Sequence, residues 1–244
     1  MQKTRRRISR LRDYNNNLLM LVNEKAQQIN DLHSIIISNM ADLVEFRDNF
    51  TGCHLRRTQE YLKVLVDQLI RDNVYTDELL IWDMNAILLS SQLHDVGKIT
   101  ISDTILNKPG KLTPEEFSIM KTHVQKGVEA IESMDRSAYF ADILGYAKLF
   151  AGTHHEKWDG SGYPRGLKGL DIPLEGRLMA IADVYDALIT VRPYKEALPA
   201  EESARIIIEG AGIHFDPVLI RTFEKLKDNF AEIALKHEDA QCAG

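Results

Sequence analysis

From Ile8 to Phe46 the chain carries a sustained heptad with no proline or glycine inside it. One seam position holds Ile8, Asn15, Val22, Ile29, Ile36 and Leu43, and the other Leu11, Leu18, Lys25, Leu32, Asn39 and Phe46, so nine of twelve are apolar. A helix of that length, roughly 58 Å at 1.5 Å per residue, does not stand alone in water, because an isolated helix gains its stability by packing an apolar face. The pattern predicts a parallel homodimeric coiled coil in which Asn15 fixes register at some cost in stability. A long helix folded back on its own domain fits the same pattern. The chain begins inside this helix, which suits an effector joined to an upstream receiver or sensor domain, with rotation or register passed along the coil.

With 36 acidic and 30 basic residues the net charge is −6, which argues against binding a nucleic-acid polymer. An anionic substrate must then be held by a local group of cations. Cys53 and Cys242 have no metal-like spacing, so neither a disulfide framework nor a Cys-rich zinc site is implied, and two free thiols in a reducing cytoplasm are expected. No run of about 18 apolar residues occurs, and the basic stretch from Lys3 to Arg12 leads into Asn15-Asn16-Asn17 rather than a signal-peptide core. A soluble, cytoplasmic chain with no transmembrane segment is the expectation.

Beyond the heptad the apolar residues keep helical spacing. Leu55, Tyr61, Leu62, Leu65 and Leu69 form one face, and Leu79, Trp82, Ala86, Leu89 and Leu93 another that ends on His94-Asp95-Val96-Gly97-Lys98. Thr113-Pro114-Glu115-Glu116 is a helix start, with Thr113 as N-cap, Pro114 in the first turn and Glu116 closing a capping box. His123 falls about two turns further on. A helix from Phe140 to about Ala151 delivers His154-His155, and one from Glu175 to Leu188 puts Asp183 and Asp186 on one face. Two more helices follow, the second capped by Asp216 and opened by Pro217. No convincing period-two strands appear, so an all-α fold is expected.

Five histidines, His54, His94, His123, His154 and His155, fall at helix ends or in helices around loops rich in glycine and acid. With Asp95 and Asp183 they supply imidazole and carboxylate donors suited to Fe, Mn or Zn rather than to Mg or Ca alone. Seven ligands exceed what one ion uses. With Asp95 bridging, two ions about 3.5 to 4 Å apart can be held, the separation of two-metal phosphoester hydrolysis. The adjacent imidazoles of His154 and His155 are costly to desolvate unless something binds them. His33 and His237 keep ordinary structural readings, and His214 a local or ligand-supporting one.

The ordered set His54, His94-Asp95-Val96-Gly97-Lys98, His123, His154-His155-Glu156-Lys157-Trp158-Asp159-Gly160-Ser161-Gly162-Tyr163-Pro164, Asp183 and Arg192-Pro193-Tyr194-Lys195 resembles the HD-GYP family of HD-domain phosphohydrolases over about residues 48 to 223. The resemblance implies a helical bundle that hydrolyses cyclic di-GMP to linear pGpG and, in many members, on to GMP. It implies that His54, His94, Asp95 and Asp183 hold one ion, and that Asp95 with His123, His154 and His155 holds another, Fe or Mn being expected. A hydroxide bridging the ions would attack phosphorus in line, with Lys98 placing a cation on the developing charge. Arg192 and Lys195 resemble the family's phosphate-gripping pair. Gly160 and Gly162 would let the backbone approach the ligand, Tyr163 would stack on a guanine, and Asp186 would orient the leaving group or a ligand histidine. The Gly-Tyr-Pro loop also suits docking of a diguanylate cyclase domain.

Two departures qualify the resemblance. Some members place a metal-binding Glu four residues before the first ligand His; Phe50 stands there and cannot ligate, which favours two metals over three. Val191 replaces an acid that often precedes the Arg-Pro-Tyr-Lys run, with consequences for that loop or for substrate choice. The expected organisation is a signalling helix over 1–46, a catalytic domain over 47–228 and a tail over 229–244. A catalytically silent binding or docking module, and a hydrolase of another cyclic dinucleotide such as cyclic GMP-AMP, are the competing readings.

Overall fold

The computed structural model describes residues 2–47, 53–134, 141–191 and 196–239. Along them run α1 (Gln2–Arg47), α2 (His54–Arg71), α3 (Thr76–Leu79), α4 (Met84–Ser91), α5 (Asp103–Leu106), α6 (Pro114–Ser133), α7 (Ala141–Thr153), α8 (Leu174–Ile189), α9 (Ala200–Glu209) and α10 (Pro217–Asp239). A 3-10 turn, Val96–Thr100, separates α4 from α5. The described residues contain no β-strand, only an isolated bridge between Ala211 and Phe215, and the fold is all-α as expected. None of their helices is long and apolar enough to cross a membrane.

Two compact units form, Met1–Asn39 and Met40–Gly244. In the first, α1 is helical from Gln2 onward, and the seam residues Leu11, Leu18, Val22, Ile29, Leu32 and Ile36 are exposed in the single chain. A narrow two-in-seven stripe on one helix has nothing of its own to bury against.

The second unit is built around α8. Leu178, Met179, Ala180 and Ile181, set about 100° apart around its axis, are all buried, which marks a central helix. Around it α2 contributes Tyr61, Leu62, Leu65 and Leu69, and α10 contributes Leu219, Phe223, Phe230 and Ile233. Tyr61 stacks on Phe230 with ring centroids 4.4 Å apart, and Tyr185 meets both rings edge-on. Because Leu226, Phe230, Ile233 and Ala234 continue the inward face of α10, the stretch expected as a tail from 229 onward begins inside a core helix.

Local chemistry sets the ends of these elements. Thr113 and Glu116 make the predicted reciprocal cap, Glu116 N donating to Thr113 Oγ1 at 3.2 Å and Thr113 N to Glu116 Oε2 at 2.7 Å. The apolar run from Leu79 to Leu93 is not one helix: Asp83 accepts from the amides of Asn85 and Ala86 and starts α4 anew. Asp216 accepts from Val218 N at 2.7 Å as predicted. It is also buried under Tyr75 Oη (2.6 Å) and Arg177 Nη1 (2.8 Å), which ties the start of α10 to α8. Cys53, which precedes α2, is buried, and Cys242 lies outside the described residues.

Candidate metal centre

Each of the five histidines singled out by the sequence is delivered by an element end or by one helix face. His54 opens α2, His94 follows α4, His123 lies on the inner face of α6, and His154 and His155 follow α7. Close helix contact is what brings the second and third together. A Cβ on Gly97 would lie 1.9 Å from His123 O and 2.5 Å from Gly127 N, so only glycine lets the turn after Asp95 lie against α6.

The donors gather into two groups, Asp95 with His123, His154 and His155, and His54 with His94 and Asp183, each with its ligand atoms within 4.8 Å of one another. Tautomers follow from the partners of Nδ1. His94 Nδ1 lies 2.8 Å from Ser91 O, His123 Nδ1 2.7 Å from Met120 O, and His154 Nδ1 2.9 Å from Phe150 O. A carbonyl only accepts, so each Nδ1 carries the proton and each Nε2 presents a lone pair inward. His54 does the same through Asp186 Oδ2 at 2.8 Å.

Asp95 joins the groups. Its Oδ1 is 3.2 Å from His123 Nε2 and 3.6 Å from His154 Nε2, while Oδ2 is 3.4 Å from His94 Nε2 and 2.8 Å from Lys98 Nζ. Nε2 of His94, His123 and His154 and Oδ1 of Asp95 are buried without a hydrogen-bond partner. Four orphaned donor atoms converging on one place would be costly in a folded interior, and a bound cation is what would satisfy them. The residues present therefore fit a divalent metal centre.

The charges lean the same way. Burial pushes His155 well below the usual imidazole value, helped by His154 and His123, and burial likewise lowers His154, so both stand neutral and able to ligate. Burial opposes ionisation of Asp95, but Lys98 first, then the neighbouring imidazoles of His94, His123 and His154, outweigh it and hold the carboxyl well below its ordinary value. His54 runs the other way: burial acts downward, yet the hydrogen bond and charge of Asp186, with Glu45 and Asp183, carry it up to about 9, so a cation at Nε2 would have to displace a proton there.

The glycine-rich loop is anchored from inside. Glu156, buried, accepts from Arg165 N at 2.9 Å and Leu167 N at 3.0 Å, so a carboxylate one residue past the ligand pair folds the loop around itself. Trp158 N donates to His214 O, which gives His214 the local role expected of it. The Tyr163 ring lies 4.7 Å from the His155 ring and 6.3 Å from that of Phe117. A Cβ on Gly162 would lie 2.3 Å from Lys157 N and 2.5 Å from Glu156 Cα, so its smallness seats the loop on itself.

Of the two roles expected for Asp186 the structure fits the second: with no exposure to solvent and both oxygens held by Arg57 and His54, it orients the His54 imidazole and is closed off from the leaving group of a substrate. Phe50 and the run Arg192-Pro193-Tyr194-Lys195 lie outside the described residues. One residue was missed. Glu45, near the end of α1, is 6% exposed and 3.9 Å from His54 Nε2. Its only sequence signal is an acid among inward positions, with Ala41 and Val44 buried beside it.

Comparison with known proteins agrees with this geometry. The HD-domain family model matches residues 38–219. A Vibrio cholerae protein named "Probable cyclic di-GMP phosphodiesterase" is 46% identical over 220 residues, 90% of this chain and 50% of that protein. The V. cholerae "3'3'-cGAMP-specific phosphodiesterase 2" is 41% identical over 198 residues, 81% of this chain and 35% of the relative. The chain thus spans half or less of the length of these relatives. Among solved structures, a Bdellovibrio bacteriovorus protein described as an HDG"Y"P protein shares the fold with a TM-score of 0.50 at 21% identity, over 75% of this chain and 53% of that one. The chain belongs to the HD-domain family, and its Gly162-Tyr163-Pro164 loop places it in the HD-GYP branch.

Proposed function

We propose that the chain is a metal-dependent phosphodiesterase that hydrolyses cyclic di-GMP to pGpG or GMP. The observation that carries this reading is the convergence of unpartnered Nε2 atoms of His94, His123 and His154 on Asp95, beside His54 and Asp183. We assign two divalent cations, Fe or Mn from the ligand set: one held by His54, His94, Asp95 and Asp183, the other by Asp95, His123, His154 and His155. Bound there, such ions supply Lewis acidity toward a phosphoryl oxygen and water of lowered pKa.

The chain's own residues do the remaining work. Backbone carbonyls and Asp186 hold the imidazoles in one tautomer, so no reorganisation is needed when substrate arrives. Lys98 Nζ, 2.8 Å from Asp95 Oδ2, places a fixed cation beside the position of the reacting phosphate. Tyr163, backed by His155, provides a wall for a guanine, and its phenol stays protonated because burial, then Asp95 and Asp183, push its pKa up. Arg192 and Lys195 are assigned to the phosphates from sequence alone. A homodimer through α1, an upstream receiver or sensor domain, a diguanylate cyclase domain docked at the Gly-Tyr-Pro loop and a cytoplasmic location belong to the same proposal.

A second substrate, cyclic GMP-AMP, is favoured by one observation, the 41% identity to a relative named for it. Protein purified without oxygen and loaded with Mn or Fe should be given each dinucleotide in parallel, with pGpG, GMP and the mixed products followed by chromatography. Turnover of cyclic di-GMP, lost in Asp95→Ala while helical content is kept, is the expected result. No turnover of either compound with either metal would sink the proposal in favour of a binding module.

A further inference from the structure

Outside the two ligand groups, three side chains from two elements make an open corner beside the metal centre. Phe117 and Lys121 stand one turn apart on a single face of α6, and the ligand candidate His123 follows on the same helix. Phe117 sits in the capped first turn, where its N donates to Thr113 O at 2.8 Å, so its backbone is held by the box that Thr113 and Glu116 close. Tyr163 reaches the same place from the Gly-Tyr-Pro loop. Its ring meets that of Phe117 almost at right angles, with centroids 6.3 Å apart and planes at 83°. Tyr163 also lies 4.7 Å from the His155 ring, so the corner begins one ring away from a candidate metal ligand.

Lys121 Nζ stands 5.4 Å from the Phe117 centroid and 5.9 Å from that of Tyr163, within reach of both aromatic faces. Among the described residues its ammonium has no ion pair and no side-chain hydrogen bond. Phe117 is 47% exposed. One exposed ring is ordinary on a protein surface. Here the ring is fixed by a capped turn, set perpendicular to a second ring and topped by an unpaired ammonium. A flat heterocycle can stack there and meet a hydrogen-bond donor at its edge.

We propose that Phe117 and Lys121 read a purine of the cyclic dinucleotide, Phe117 by stacking on the base and Lys121 by donating to its O6 and N7 edge. The inference rests on the phosphodiesterase reading above and extends it from the metal centre to the choice of base. An ammonium only donates. Guanine presents two acceptors on that edge, whereas adenine places an amino donor where guanine has O6, so Lys121 favours guanine. Lys98, 2.8 Å from Asp95 Oδ2, already serves the position assigned to the reacting phosphate, and Lys121 stands instead among rings. In cyclic GMP-AMP, a guanine seated in the corner sets which of the two phosphates faces the metal position.

The test uses Mn-loaded wild type, Phe117→Ala, Lys121→Met and Lys121→Arg. Turnover of cyclic di-GMP is followed with cyclic di-AMP titrated in as a competitor, and the ratio of the linear products pGpA and pApG is measured from cyclic GMP-AMP. Wild type should hold cyclic di-AMP about tenfold or more weaker than cyclic di-GMP and should favour one linear product. Lys121→Met should bring both differences toward parity, and Lys121→Arg, which still donates, should keep them. Phe117→Ala should weaken the guanine and adenine compounds alike, by about tenfold, because stacking does not distinguish bases. An equal loss for both compounds in Lys121→Met would assign the ammonium to a phosphate and overturn the proposal. Unchanged values in Lys121→Met and Phe117→Ala would overturn it as well. Either result leaves the phosphodiesterase reading standing, whereas a wild type that turns over no cyclic dinucleotide would overturn both.

Discussion

His54 Nδ1 lies 2.8 Å from Asp186 Oδ2, on a carboxylate with no exposure to solvent. The same carboxylate takes Arg57 in a two-pronged grip, Nε to Oδ1 at 2.5 Å and Nη2 to Oδ2 at 2.8 Å. Asp186 therefore does for His54 what main-chain carbonyls do for His94, His123 and His154, but with a full charge that raises the basicity of the ring. A residue one turn from Asp183 on α8 is thereby committed to support, leaving Asp183 to face the centre.

Asp186→Asn should separate these two functions. Arg57, 5% exposed, would be left as a buried cation without its counter-charge, a loss of about 3 to 5 kcal/mol. Metal affinity should fall about 10- to 100-fold through the misdirected His54. Thermal unfolding with and without chelator distinguishes them, because the first loss persists when metal is withheld and the second does not. A variant as stable as wild type in chelator would contradict the pairing.

Gly162→Ala should damage activity far more than stability. The added methyl would run into the backbone at Lys157 N and Glu156 Cα, atoms that cannot step aside. The loop would have to shift, and with it Tyr163 against His155. A displacement of about 1 Å near reacting groups costs on the order of a hundredfold in rate. Steady-state turnover alongside a melting curve checks this; turnover within a few-fold of wild type would rule out the proposed seating.

His214 predicts a pH dependence of folding. Burial, followed by the nearby Lys157, lowers its pKa from 6.5 to about 4. The unfolded chain then binds a proton that the folded one refuses, so stability is full above the unfolded value and declines as pH falls from 6.5 toward 4. The decline from this residue is on the order of 2 to 3 kcal/mol. Denaturant unfolding of wild type and His214→Gln at several pH values should show the two curves converging as pH drops, and parallel curves would refute the assignment.

The exposed seam of α1 predicts self-association. Leu18, Val22, Ile29 and Leu32 are each more than 40% exposed in the single chain, and a partner helix would bury them. Light scattering should report a dimer for the intact chain, and Ile29→Asp should shift it to monomer. A monomeric wild type at micromolar concentration would remove the coiled coil.

Much of the fold was legible because its signals are local. The capping box at Thr113, the cap at Asp216 and the helical spacing along α2 and α8 involve residues within a turn or two of each other, and the structure contains all of them. The Leu79 to Leu93 face misled because spacing survives a helix break, and Asp83 supplies that break through side-chain bonds that periodicity does not register. In the centre, the ligand types and the His154-His155 pair were visible. The inward loop anchor Glu156 and the carboxylate of Glu45 were not, since an acid looks the same in sequence whether solvated or buried.

Residue identity and order by themselves determined that the chain is helical, where most helices start, and that imidazoles and carboxylates occur in numbers suited to metal. Only the tertiary structure decided their roles. His54 and Asp186 stand 132 positions apart and His123 and Asp95 on separate elements, and what joins them is burial of α8 among α2, α9 and α10 and the fit of Gly97 against α6. Apolar burial is non-directional and indifferent to sequence distance. Which carboxylate supports a histidine, which faces the metal position and which is left without a partner therefore emerges only when the core closes.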